Sequence, residues 1–388
     1  MTRNARDSRG AHAVLRTLTG RMIIAAILLC VVAPAAVAHV AGTEAADVDT
    51  LALAALSPEE LFLRSSSAAL QFAPMIQPSR RILVREYERS LPYLVTQLDT
   101  DGPRERHALE DILVKIGEPA VEPVIEALDR ELERTDTLRG ARMAAGILGR
   151  LGDDRATSAL NSAAGHHDWK VRSSVASAIG RIGSADGLDG LLLLLGDENE
   201  IVRKSSAVAI RRMATEPTPP SDDEALATEP DAVTDADAVT EANARAKEIE
   251  RYERALIARD ATRDDAVIRR LIDALDDAYY SVRYSAAAAL VELGTDALPS
   301  LIRVAEDGAG PARLVALSAI GRVEDASALG TLEDLLSDDD WAVRGFSAEA
   351  IGRIGANRRT RKALSILLAG ETHPFVIMRA GDALAPMQ

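Results

Sequence analysis

Apolar residues recur at helical spacing over most of the chain. In 171–183, Val175, Ala178, Ile179 and Ile182 fall on one face of a helix, with polar residues between them. The same pattern returns without gaps: VRSSVASAIGRIG at 171–183, VRYSAAAALVELG at 282–294 and VRGFSAEAIGRIG at 343–355. Weaker copies begin at Arg106, Arg203 and Arg313, and two more, near Ala141 and Ile377, lack the arginine. Successive starts differ by 35, 31, 31, then 30, 31 and 33 residues. A glycine closes many copies (Gly117, Gly152, Gly183, Gly294, Gly355), as a helix C-terminus requires. A second apolar stripe precedes each copy, for example Leu188–Leu195, Ala266–Leu275 and Ser327–Leu336, joined to it by Asp-rich turns such as Gly196–Glu200 and Ser337–Asp340. One such hairpin cannot bury its stripe alone. The pattern therefore predicts an all-α fold, an α-solenoid of stacked helical hairpins with a period of about 31 residues.

The string V-R-x-x-A-x-x-A-(I/L)-G-x-(I/L)-G resembles the short HEAT-like repeat also found in phycobilisome lyases, and GEPAVEPVIEAL at 117–128 is similar to that family's entry turn and first helix. The resemblance runs from about residue 90 to 388. It implies the solenoid fold and leaves function open, because such arrays serve many roles.

One tract breaks the array. Residues 215–241 hold Pro217, Pro219, Pro220 and Pro230, many acids and no Lys or Arg, a composition expected to stay disordered. The expected organisation is a leader at 1–38, a capping helix region at 57–79, repeats at 80–214, the acidic insertion at 215–241, a charged helix at 242–263 and further repeats at 264–388.

Repetition puts equivalent side chains in columns. Arg106, Arg172, Arg203, Arg283, Arg313 and Arg344 each open a second helix, where a cation opposes the helix dipole. Asp197, Asp277, Asp307 and Asp338 stand six residues before four of them, so an Asp–Arg ladder bracing adjacent turns is expected; the family resemblance implies the same. Nine residues further on, Lys115, Arg150, Arg181, Arg212, Arg322 and Arg353 form a second basic column, interrupted by Glu292. Two readings fit it: cations complementing a helix C-terminus, or a ridge on the inner surface that receives acidic segments of a partner or the chain's own acidic tract. Trp169, Tyr280 and Trp341 form a third column in the connecting turns, either as anchors at a binding surface or stacked on neighbouring guanidinium groups.

Composition sharpens the picture. Aromatics are only 3% against 47% hydrophobic residues, which suits closely packed Ala/Leu helices. Five arginines lead into the apolar run 22–40, which contains an Ala36-Val37-Ala38 exit, so 1–38 reads as an export signal, with a membrane anchor over 22–40 as the alternative. The expected location is periplasmic or secreted, with membrane contact only through an uncleaved leader. Removing 1–38 takes away five Arg and one acid and moves the net charge from −15 to −19. Such a balance argues against nucleic acid as a partner. The one cysteine, Cys30, lies in the leader, so the mature chain has no thiol for disulfides, zinc thiolates or nucleophilic catalysis. No phosphate loop, nucleophile elbow or metal-binding His-Glu pair occurs, and His166-His167-Asp168 makes a weak metal site. The expected catalytic, cofactor and metal residues are therefore none. The reading is an exported scaffold that binds protein partners in the cell envelope. Its alternatives are a lyase-like or chromophore-handling factor and a regulatory array masked by its own acidic tract.

Overall fold

The computed structural model describes residues 50–134, 137–220 and 235–385. The expected leader at 1–38 and most of the acidic insertion lie outside these residues. Val48–Gln388 forms one compact unit. Among the described residues every regular element is an α-helix or a short 3₁₀ segment, and no single helix is long and apolar enough to cross a membrane.

A short helix, α1 (Thr50–Ala54), leads into α2 (Pro58–Ser66), α3 (Ile76–Arg85) and α4 (Tyr87–Leu94). Paired first and second helices follow as α5 (Pro103–Ile116, the partner of α4), α6 (Val121–Leu132) with α7 (Arg139–Leu151), α8 (Thr157–Ala163) with α9 (Trp169–Ile182), and α10 (Leu188–Leu195) with α11 (Glu200–Ala214). A long helix, α12 (Asp235–Thr262), stands outside the pairing. The array resumes as α13 (Asp265–Asp273) with α14 (Tyr280–Leu293), α15 (Leu298–Asp307) with α16 (Gly310–Val323), α17 (Leu329–Asp334) with α18 (Trp341–Ile354), and α19 (Arg358–Gly370) with α20 (Pro374–Leu384).

Local chemistry sets these boundaries. Asp168 caps α9 by accepting the Lys170 and Val171 N–H groups, and Asn199 and Asp340 cap α11 and α18 in the same way. At the other end, Gly183 takes φ +65° and Gly152 φ +68°, the left-handed conformation that releases the chain from the helix. Glu324 holds the equivalent place after α16 at φ 59°, the sole non-glycine with positive φ among the described residues. Between caps, Val171, Val175, Ala178 and Ile179 of α9 are all buried in one continuous apolar core.

Second helices touch most closely where a glycine faces an alanine. A Cβ on Gly149 would stand 2.7 Å from the Ala178 Cα, and one on Gly180 2.7 Å from the Ala209 Cα. Gly321 and Gly352 face Ala350 and Ala383 in the same manner. First helices lack such a seam and meet their neighbours at few points. The second helices thus pack against one another more tightly than the first helices do.

The structure revises three boundaries. Helix α3 crosses the expected limit at 79/80 and pairs with α2, so the N-terminal cap is a hairpin rather than one helix. Its α2 begins in a capping box in which Ser57 and Glu60 bond each other's backbone N–H. The charged helix expected at 242 begins at Asp235, and the insertion does not split the array. Helix α14 packs directly on α11, and Arg203 bonds Asp277 across 74 residues of sequence.

Helix α12 runs along the turns that leave the second helices. Lys247 meets Glu118 at 2.7 Å, and Arg254 donates to the Gly152 carbonyl at 2.8 Å and lies 3.6 Å from Asp154. Ala258 and Thr262 are buried, Arg259 pairs with Glu216 and Arg263 with Asp296. Lys247 and Arg254 are seven residues apart, about 10.5 Å of helix, which matches the step from one hairpin to the next.

Candidate functional site

The first arginine column is structural. Arg172 holds Asp197 through two bonds of 2.6 and 2.8 Å and donates to the His166 and His167 carbonyls. Arg203 repeats the arrangement on Asp277 (2.6 and 3.0 Å) while bonding the Asp197 and Glu198 carbonyls. Arg313 reaches Asp338 at 2.5 Å and Arg344 reaches Glu371 at 2.7 and 3.1 Å. Each acid thus receives the arginine of the preceding hairpin on its carboxylate. In the regular turns, its backbone carbonyl receives the arginine of its own hairpin. Asp197, Asp277 and Asp338 also accept an N–H two residues on, which fixes the turn.

These carboxylates feel opposing forces. Burial is the largest single influence and works against ionised Asp277 and Asp338. The Arg203 and Arg313 hydrogen bonds, the Tyr279 and Asp340 N–H groups and the neighbouring guanidinium charges together outweigh it and hold both pKa values below the ordinary carboxylate range. The Arg344 hydrogen bond, with N–H groups of His373 and Thr372, lowers Glu371 to about 2.

Two expected rungs are missing. Asp307 remains in the last turn of α15, exposed to solvent, whereas Asp277 and Asp338 lie just past the helical turn. Arg283 consequently bonds only the Asp277 and Ala278 carbonyls, and its buried Nε atom has no hydrogen-bond partner. Arg106 likewise bonds only the Asp101 carbonyl. There the neighbouring turns are tied instead by Arg139, which contacts Asp101 and the Asp99 carbonyl.

The second column contains both paired and unpaired cations. Arg150 is held by Glu110 at 2.9 Å, Arg353 by Glu349 at 2.9 Å, and Glu292 takes Arg211 at 3.3 Å. Lys115 is exposed and Arg322 half-buried, and neither side chain makes an ion pair or hydrogen bond among the described residues. Arg181 and Arg212 are exposed and make no ion pair or hydrogen bond among the described residues.

Sequence reasoning missed the companions of these two cations. Four and eight residues before them on the same helical face stand two further columns. In the front half the column four residues before is Gly146, Ser177 and Val208, and the column eight residues before is Arg142, Ser173 and Lys204. Arg142 and Lys204 are exposed and also unpaired. The result is a groove across the second helices, floored by Gly146, Ser177 and the exposed Val208, between two rows that carry the cations. It divides into a hollow of about 550 Å³ beside Arg106, Arg139 and Arg142, one of about 300 Å³ between Arg181, Lys204 and Arg212, and one of about 620 Å³ where Arg251 of α12 joins Arg150, Arg181 and Arg212. Arg142 and Lys204 escaped notice because Ser173 separates them, so no unbroken column announces them.

The aromatic column opens the second helices rather than lying in the turns before them. Trp169 is half-buried, with the Lys170 ammonium 5.6 Å from its ring. Tyr280 carries the Arg283 guanidinium at 5.8 Å. Trp341 stacks on His373 at 4.0 Å and meets Phe375 edge-on. His166 and Asp168 are spent locally, since His166 accepts the Asp168 N–H and Asp168 caps α9. No group of three or more potential metal ligands occurs among the described residues.

A stacked helical-hairpin array with an open groove is a repeat solenoid built for surface contact. Residues 131–211 and 298–385 match the family described as HEAT repeats, and 282–307 match the PBS lyase HEAT-like repeat. The chain is a HEAT-repeat solenoid, a repeat class that commonly provides protein-interaction scaffolds. A comparison with curated proteins finds no match. Among solved structures, yeast importin-β is similar at 14% identity and TM-score 0.49, over 84% of this chain and 44% of that one. The phycocyanin lyase complex of CpcE and CpcF from Nostoc sp. is similar at 20% identity and TM-score 0.32, over 76% of this chain and 94% of that one. Human deoxyhypusine hydroxylase is similar at 22% identity and TM-score 0.30, covering 76% and 95%. The chain spans less than half the length of importin-β.

Proposed function

We propose that this protein is an exported scaffold of the cell envelope that holds a protein partner in the groove across the second helices of its front half. The observation that carries the reading is the set of unpaired cations Arg142, Arg181, Lys204 and Arg212, gathered on one face of a chain whose net charge is −15. Unpaired guanidinium groups cost little while hydrated and gain most when a carboxylate meets them, so a groove that keeps them free is suited to a charged partner. The basic leader, its apolar run and the small-residue exit support export, and a membrane anchor over 22–40 would leave the same groove in the envelope. The expected acidic insertion lies largely outside the described residues, and masking of the groove by it forms no part of this reading.

The test is capture from an envelope extract with the chain from Ala41 onward, which retains the whole compact unit. A partner held by this bait and lost with Arg181→Ser/Arg212→Ser supports the reading. Retention by both baits moves the surface elsewhere on the array. A purified chain that captures nothing and turns over a substrate ends the scaffold reading.

A further inference from the structure

The groove has a spacing as well as a charge. At Gly180 and Ala209 the second helices touch backbone to backbone, the contact of helices about 8–10 Å apart. Side chains at matching positions, such as Arg181 and Arg212, therefore recur about every 9 Å along the array. A polyproline-II chain rises about 3.1 Å per residue and returns to the same face every third residue, about 9.3 Å. Its period is that of the repeat.

Width points the same way. Arg142 and Arg150 lie eight residues apart on α7, as do Lys204 and Arg212 on α11, so the two rows stand about 12 Å apart at the backbone. Long side chains narrow that gap, leaving little room for an α-helix about 10–12 Å across but enough for an extended chain. Gly146 and Ser177 keep the floor low.

Building on the scaffold reading, we propose that the groove takes an extended, polyproline-II-like acidic segment of a partner protein, with a carboxylate at every third residue and its axis along the array. Successive carboxylates meet Arg181 and Arg212, and Arg251 of α12 stands by the same hollow. Arg142 and Lys204, two hairpins apart, face the opposite side of the segment. A uniformly charged polyanion is a poorer fit, because the turn edge of the same hairpins carries Glu198, which is exposed, and Glu200. Neutral residues at two of every three positions avoid that repulsion.

Fluorescence anisotropy with labelled peptides tests the spacing directly. The probe is five repeats of Glu-Pro-Ser, compared with a peptide of identical composition whose five glutamates are contiguous. The spaced peptide is expected to bind the chain from Ala41 onward at least fivefold more tightly in 50 mM NaCl. Arg181→Ser/Arg212→Ser should weaken it about tenfold while leaving the helical circular dichroism and melting midpoint unchanged. Equal affinity for the two peptides, or no loss in the double variant, overturns the proposal, as does tighter binding of inorganic polyphosphate. If neither peptide binds while a protein partner is still captured and then lost with the double variant, the extended-acidic assignment falls and the scaffold reading stands.

Discussion

The front and back halves of this array share a skeleton and differ in what they show the solvent. Both use the arginine-to-acid ladder, Arg172 and Arg203 in front, Arg313 and Arg344 behind. Both use the glycine–alanine seam, at Gly149 and Gly180 and again at Gly321 and Gly352. The columns on the second helices then part company. Where the front has Arg142, Ser173 and Lys204, the back has Tyr284, Leu314 and Gly345. The front pairs Arg150 and leaves Arg181 and Arg212 free side by side. In the back Arg322 stands without a partner among the described residues, but Glu292 takes its neighbour's place and Glu349 holds Arg353. Positions that repeat in both halves hold the hairpins together, whereas those that change decide what the surface can bind.

The comparison can be broken at the junction. Asp277→Ala strands Arg203 in a largely buried site between the halves and should cost about 3 kcal/mol in urea unfolding. Asp307→Ala, which disturbs an exposed side chain with no rung, should stay within about 0.5 kcal/mol. Equal costs would mean that the ladder contributes little to either half.

The seam offers a smaller contrast. Gly180→Ala drives a methyl to 2.7 Å from a backbone carbon, and despite alanine's better helix propensity it should cost about 1–2 kcal/mol. At Gly352 the same group would stand 3.1 Å from the Ala383 Cα, a longer approach that a small shift of the last described helix relieves, so Gly352→Ala should be close to neutral in thermal unfolding.

Acid separates the ladder from the remaining surface charges. Glu371 has a folded pKa of about 2 against an ordinary 4.5, so the stability it adds is fully present above about pH 4.5 and is lost as pH falls towards 2. Asp277 and Asp338 act with the same sign. Glu371→Gln should lower the melting midpoint at pH 7 and flatten its decline between pH 4.5 and 2. The smallest effect belongs to Glu324: Glu324→Gly relieves a left-handed backbone at the end of α16 and should raise stability by about 0.5 kcal/mol in denaturant titration.

The sequence made the hairpins legible because Val, Ala, Ile and Gly occupy the same helical phase in copy after copy. It also pointed to Arg172, Arg203, Arg313 and Arg344 with Asp197, Asp277 and Asp338 as ladder residues, but it missed Glu371 and hid the direction of the rungs. Asp277 and Arg283 are six residues apart, yet the carboxylate serves Arg203 of the preceding hairpin, while Arg283 takes the carbonyl. Asp307 shared the spacing and failed because its helix runs on to include it. The groove was half legible, through Arg181 and Arg212. Its other row was not, because Arg142 and Lys204 belong to a column with serine at its centre. The seat of α12 could not be read at all. Its charges are spread around the helix, and its ion pair with Glu118 lies 129 residues away in sequence.

That long-range seat has a consequence for how the array can grow. Repeat proteins lengthen by duplicating a hairpin, and among the described residues no long helix lies along the hairpins of the back half. Helix α12 counts those of the front, because Lys247 and Arg254 must meet consecutive turns at Glu118 and Gly152 with one hairpin between them. A hairpin inserted between these turns would double the distance that seven helical residues have to span, and both attachments could no longer be made together. The front half is thus gauged to a set length by a rod lying alongside it, while duplication remains open in the back.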